Sequence, residues 1–185
     1  MKKIIFILFA VFFAVANAAA QDDGGRKLTK KERKALEARM DSMANAKALK
    51  AVDDTAFVLE ADEVVFKRGY VAHVNSNTNF IAFRCGEAVV QVSFNVPWPG
   101  FNGIGGISVE GRVSKYKRET DKRGNTYIEA FVNGTVLSAR VFMTLYADGN
   151  KATVDIQQNF YSGRITLNGV IVPVDESSVF QATTI

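Results

Sequence analysis

The sequence is poor in the residues that staple a fold, bind metal or titrate near neutrality. It has one cysteine, Cys85, one histidine, His73, three prolines and one tryptophan in 185 residues. A single thiol closes no internal disulfide, so stability must come from a buried core. One His and one Cys do not supply the ligands of an ordinary zinc site. A Ser-His-Asp or Cys-His enzyme would have to use His73, since no other side chain titrates near pH 7 unperturbed. Its neighbourhood, Val71-Ala72-His73-Val74-Asn75, has neither a nucleophile elbow nor a glycine-rich turn and reads as a solvent-facing strand. The carboxylate pairs Asp53-Asp54 and Asp62-Glu63 are adjacent in sequence, and neighbours on a strand point to opposite faces. Neither pair therefore converges as glycosidase or aspartic-protease chemistry requires. There is no Asp-x-Asp-x-Asp-Gly calcium loop. The glycine-rich run Gly100 to Gly106 lacks the Lys-Ser/Thr ending and following helix of a phosphate cradle. No catalytic residue, metal or cofactor is expected.

The N-terminus carries a clear pattern. Met1-Lys2-Lys3 precedes an unbroken apolar run, Ile4 to Val15, and the small residues Ala16-Asn17-Ala18-Ala19-Ala20. A charged start, a short apolar stretch and an A-x-A site make a secretory signal, residues 1–20, with cleavage after Ala18 or Ala20. The run is shorter than the about 20 residues needed to span a bilayer. No cysteine near the cleavage site offers a thiol for lipidation, so the expected product is soluble and exported, in the periplasm or cell envelope. Roughly 165 residues would remain, enough for one domain.

Residues 21–29 form a polar spacer. Thr29-Lys30-Lys31-Glu32 then matches a capping box, and Leu36, Met40, Met43 and Ala46 or Lys47 follow at spacings of three and four. These features predict a helix over 30–52 with a narrow apolar stripe that docks weakly. Its charge is lopsided: residues 26–50 hold nine Lys/Arg against three Asp/Glu, whereas residues 51–185 hold twelve against fourteen. A nucleic-acid partner is not expected, because the rest of the chain has no basic stripe interleaved with stacking aromatics. Without Trp or Phe in the stripe, membrane-surface contact would be weak at most.

From 53 to 185 the pattern changes to short β-branched and aromatic runs separated by turn residues. Phe57, Leu59 and Ala61 alternate with Val58, Glu60 and Asp62. Gly86-Glu87, Asp121 to Asn125, Asn133-Gly134 and Asp148-Gly149-Asn150 are predicted turns, Asn133-Gly134 as a type I′ hairpin. The basic residues Lys115, Lys117, Arg118, Lys122 and Arg123 read as a polar hairpin tip that serves solubility. About eight strands with short turns predict a mainly β domain, an antiparallel meander closing as a barrel or a two-layer sandwich, with one N-terminal α-helix and one apolar interior.

Pro97-Trp98-Pro99-Gly100-Phe101 is a loop in which Trp98 and Phe101 bring more apolar area than a solvated loop needs. They are the candidate ligand-binding residues, either as an aromatic platform for a glycan, peptide or lipid or as a lid over one open end of the barrel. The resulting expectation is a non-enzymatic binding module. The alternatives are an assembly factor that docks an envelope protein through its helix and, lowest, a hydrolase.

Several segments together suggest a relative: the helix from Lys30 to Glu37, the strand from Phe57 to Ala61, Gly105-Gly106-Ile107 with Glu110-Gly111, and Val154 to Asn159 leading into Tyr161 to Ile165. In that order they resemble an uncharacterised domain-of-unknown-function family of small exported Bacteroidetes proteins. The resemblance covers nearly the whole mature chain and implies an envelope β domain with no known activity. The chain departs from it at residues 96–101, where a tyrosine-rich loop would stand. It also implies O-glycosylation at Asp-Ser/Thr-apolar triplets, which Asp54-Thr55-Ala56 and Asp41-Ser42-Met43 match, with Thr55 in the helix-to-sheet linker ranked ahead of Ser42.

Overall fold

The computed structural model describes residues 28–66, 68–93, 107–134, 138–158 and 164–179. The expected leader, most of the spacer, Trp98 and Phe101 lie outside the described residues. Contacts group the chain into two units, Met1–Leu36 and Glu37–Ile185. The described part of the first is the start of helix α1, Lys30–Asp53. Thr29 and Glu32 form the capping box: the Glu32 amide donates to Thr29 Oγ1 at 3.3 Å, while Glu32 Oε2 accepts from the Thr29 amide at 2.8 Å and hydroxyl at 2.9 Å. These bonds, the backbone one foremost, hold the Glu32 carboxyl below its usual value.

The second unit is a closed antiparallel barrel of eight strands with one extra strand. In chain order the strands are β1 (Ala56–Phe66), β2 (Val71–His73), β3 (Phe80–Arg84), β4 (Glu87–Val92), β5 (Ile107–Thr120), β6 (Thr126–Gly134), β7 (Ser138–Leu145), β8 (Lys151–Gln158) and β9 (Arg164–Pro173). From β3 to β9 each strand pairs with the next, and β9 returns to β1 along nine residue pairs. The other edge of β1 is shared, β3 pairing with its first half and the short β2 with its second. The sequence left barrel and sandwich open; the β1–β9 pairing makes it a barrel.

Closure depends on a bulge. On β1, Ala61 opposes Gly169 and Glu63 opposes Asn168, which leaves Asp62 as the extra residue. The bulge switches the inward set from Phe57, Leu59 and Ala61 to Val64. At the crossing the strands are so close that a Cβ on Gly169 would fall 2.0 Å from the Glu60 carbonyl oxygen. Inside, Phe57 and Phe83 stack at 4.8 Å, and Ile81, Val90, Ile128, Val141, Met143, Val154 and Leu167 are buried around them. An eight-stranded barrel has an interior just wide enough for such side chains to fill.

The apolar interior is not the whole core. Val58, Phe80, Ala82 and Val89 point outward and are buried in a second cluster under Val172, Val174 and Val179. β1, β3 and β4 thus read as nearly continuous apolar runs, as strands covered on both faces do. Ser177 fastens the covering segment by donating to Glu60 at 2.7 Å.

The last turns of α1 close one barrel end. Ala48, Ala51 and Val52 are buried within the interior cluster, so the helix is not peripheral to the core. The stripe expected to dock, Leu36, Met40 and Met43, is exposed by 48, 61 and 66% respectively. Alanines dock in its place because their small side chains let the helix backbone come close to the strand ends. Asn45 Nδ2 donates to the carbonyls of Tyr146 at 3.1 Å and Gly149 at 2.7 Å, Asp53 pairs with Arg118, and Tyr116 donates its hydroxyl to the Val52 carbonyl at 3.0 Å. Burial pushes the Tyr116 phenol up to about 12.

Two turns differ from the sequence expectation. The β3–β4 turn is Cys85-Gly86, both at positive φ (49° and 95°) and closed by the pair Arg84 and Glu87, as a type I′ turn requires. Asn133-Gly134 is not a turn but the end of β6. Gly134 opposes Gly111 of β5, where a Cβ on Gly111 would strike the Asn133–Gly134 peptide at 2.6 Å. Among the described residues no helix is long and apolar enough to cross a membrane.

Gly169→Ala is expected to cost about 1–3 kcal/mol or more by forcing the β1–β9 seam apart. Tyr116→Phe should cost about 1 kcal/mol, the net worth of one hydrogen bond, since the Val52 carbonyl still accepts from the Thr55 amide. Urea unfolding of both variants checks the ranking. Because the phenol titrates higher folded than unfolded, its contribution is present below pH about 10 and lost as pH rises toward 12, so the Tyr116→Phe difference should shrink across that window.

Candidate functional site

The residues weighed as catalytic are dispersed. His73 is exposed on β2 in register with Glu63, whose carboxylate accepts from Asn168 at 2.7 Å. Asp53 pairs with Arg118 and Asp54 with Lys50, so that carboxylate pair is divided between two cations. Among the described residues no three His, Cys, Asp or Glu side chains gather as a metal site would. Ser42 is exposed on α1. Thr55 is half-buried in the turn after it, at φ 51°.

The outer face of β5, β6 and β7 carries a different arrangement, built from a second bulge. Ser114 opposes Phe131 and Lys117 opposes Glu129, so Lys115 and Tyr116 together face Ala130. Lys115 sits at φ 54°, a left-handed conformation that glycine usually supplies. The bulge sends Tyr116 inward to the helix and Lys115 outward, its Nζ 5.1 Å from the centroid of Phe131. Cross-strand register then sets Phe131 beside Arg140, Glu129 beside Phe142 and Tyr127 beside Thr144. The Arg140 guanidinium lies 4.8 Å from the Phe131 ring and 5.2 Å from Phe142, and Nη2 is 3.3 Å from Glu129.

Two adjoining hollows open on this lattice. One, of about 340 Å³, is lined by Lys115, Tyr116, Lys117, Glu129, Phe131 and Arg140. The other, of about 170 Å³, shares Lys117 and Glu129 and adds Glu119, Tyr127 and Phe142. Lys117 and Glu119 pair at 2.6 Å, and their hydrogen bond and opposite charges raise the lysine and lower the carboxyl from their usual values. The groove thus joins half-buried rings, cations and carboxylates on one rigid sheet face. Sequence reasoning missed it by reading Lys115 and Lys117 as a solubilising tip. The available signal was Phe131 and Phe142 at outward positions, in phase with Glu129 and Arg140.

Below the groove, Asp121 organises the β5–β6 turn. It accepts from the amides of Arg123 at 2.8 Å and Asn125 at 2.9 Å, from Asn125 Nδ2 at 3.0 Å and from the Tyr127 hydroxyl at 3.2 Å. Desolvation raises its carboxyl, but these four bonds outweigh it and the net shift is downward.

A closed eight-stranded antiparallel barrel with a helix in one end, and a cation–aromatic groove on its outer wall, defines the class of protein. The domain of unknown function DUF4251 matches residues 39–171, and the chain belongs to that family. It is similar to a DUF4251 family protein from Bacteroides eggerthii DSM 20697 known from a crystal structure at 1.95 Å resolution. The two are 44% identical with a TM-score of 0.67, over 76% of this chain and 94% of the other. No curated protein matches the sequence.

Because the Asp121 carboxyl titrates lower folded than unfolded, its contribution is present above pH about 4 and lost as pH falls below that. Asp121→Ala should therefore lower Tm at pH 7, and the difference from the parent should narrow toward pH 3. Melting curves across that range check it.

Proposed function

We propose that the chain is an exported, non-enzymatic binding module of the cell envelope that recognises its ligand with the outer wall of the barrel. One observation carries this reading: Phe131 and Phe142, whose ring type ordinarily goes inside, are held on the outward face and clamped by Arg140. Export rests on the N-terminal pattern of charge, apolar run and Ala16-Asn17-Ala18. The barrel interior gives no rival site among the described residues, since its inward positions are filled by packed apolar side chains. Trp98 and Phe101, in the connection from β4 to β5, stand as a second candidate contact. Of the two triplets, Ser42 presents the exposed hydroxyl and is the proposed acceptor ahead of Thr55.

A second reading, an assembly factor that docks an envelope protein through α1, is favoured by the exposed side chains of Met40 and Met43.

A thermal-shift screen of saccharides and peptides separates the two. Phe142→Ser should abolish ligand-induced stabilisation while leaving the barrel folded, and removal of residues 21–43, which spares Ala48, Ala51 and Val52, should not. The reverse outcome would favour the helix. For export, the intact mass of the protein recovered from the periplasmic fraction should correspond to a start at Ala19 or Gln21, plus any glycan. A full-length chain in the cytoplasm would overturn that part.

A further inference from the structure

We propose that the groove on β5, β6 and β7 recognises an acidic sugar, a hexuronate residue within a polysaccharide. This deepens, and rests on, the outer-wall reading above. The groove holds three cations, Lys115, Lys117 and Arg140, against two carboxylates, Glu119 and Glu129. Lys117 is matched by Glu119, and Arg140 meets Glu129 through one nitrogen only, which leaves most of its five-donor fork available. Lys115 meets a ring, not a carboxylate. The surplus is one positive charge, set beside the fork of a guanidinium whose orientation two rings already fix, so little rotamer freedom is lost when an anion docks.

The rest of the lining suits a sugar. Glu129 and Glu119 are acceptors for ring hydroxyls, and the half-buried side chains of Phe131 and Phe142 offer apolar contact to the C–H face of a pyranose. The hollow of about 340 Å³ is open to solvent, which leaves room for one ring of a longer chain at a time. An acidic peptide suits it less. β6 lies between β5 and β7 with both edges paired, so the floor has no free main-chain edge on which an extended peptide adds as a strand.

The bulge supplies an independent argument. A lysine in the left-handed region carries backbone strain that a glycine would avoid. The bulge that turns Tyr116 to the helix holds this conformation in place, and a glycine would serve it as well; with lysine there, it sets an ammonium over the groove.

The test uses the mature chain with trigalacturonate as probe, and with maltotriose, hexaglutamate and sodium acetate as comparators, read by calorimetric titration. Trigalacturonate should bind more tightly than the other three. Lys115→Gly should weaken it about tenfold or more while Tm holds or rises, and Arg140→Gln should weaken it similarly. A merely structural Lys115 would not separate affinity from stability in this way. If maltotriose, hexaglutamate or acetate binds as well and Lys115→Gly weakens it, the sugar class is wrong while the groove stands. If trigalacturonate does not bind, or binds with no response to either substitution, the inference falls. The Phe142→Ser arm of the screen then decides the outer-wall reading separately.

Discussion

The structure depends on the seam between β1 and β9. Apart from β1 with β3, which skips only the short β2, every other strand pairing joins neighbours in the sequence, and such contacts alone would leave a curled open sheet with two exposed edges. Closure needs the first and last strands to meet in register over their length while the barrel wall turns a corner. Asp62 and Gly169 solve this together: the extra residue bends β1, and the missing side chain lets β9 approach the Glu60 carbonyl at the bend. Once the seam is closed, inward residues have a fixed volume to fill, and the mixture of Ala, Val, Ile, Met and Phe inside fills it.

Closure also divides the outer wall. Around β1, β3 and β4 it is apolar and covered by the segment after β9; across β5, β6 and β7 it is amphipathic and open. The bulge at Lys115 and Tyr116 links wall to end, because a single extra residue turns one side chain toward the helix and its neighbour toward the groove. Helix docking and the groove are therefore positioned by the same backbone irregularity.

Local features were readable from the residues. The Thr29 and Glu32 cap, the turn from Asp121 to Asn125 and the period-two alternation of β6 to β8 each follow from neighbours a few positions apart. What was not readable involves distant partners. Asn133-Gly134 has the chemistry of a tight turn, yet Gly111, far upstream, recruits it into a strand. Leu36, Met40 and Met43 have helix-docking spacing, but the residues that pack on the barrel interior come from the last turns of α1, Ala48, Ala51 and Val52 buried and Leu49 beside them. The groove was hidden for a related reason: its residues come from three strands, and the bulge that assembles them breaks the alternation by which faces are assigned.

The turn between β3 and β4 adds a practical consequence. Cys85 is exposed on it, the single thiol of the chain, with its amide bonded to the Thr55 carbonyl at 3.2 Å just past the helix. A maleimide dye would attach there at one-to-one stoichiometry, on the barrel end that receives α1 and on different strands from the groove. Its emission would report departure of the helix from the barrel, and leave the outer wall of β5 to β7 free for titration.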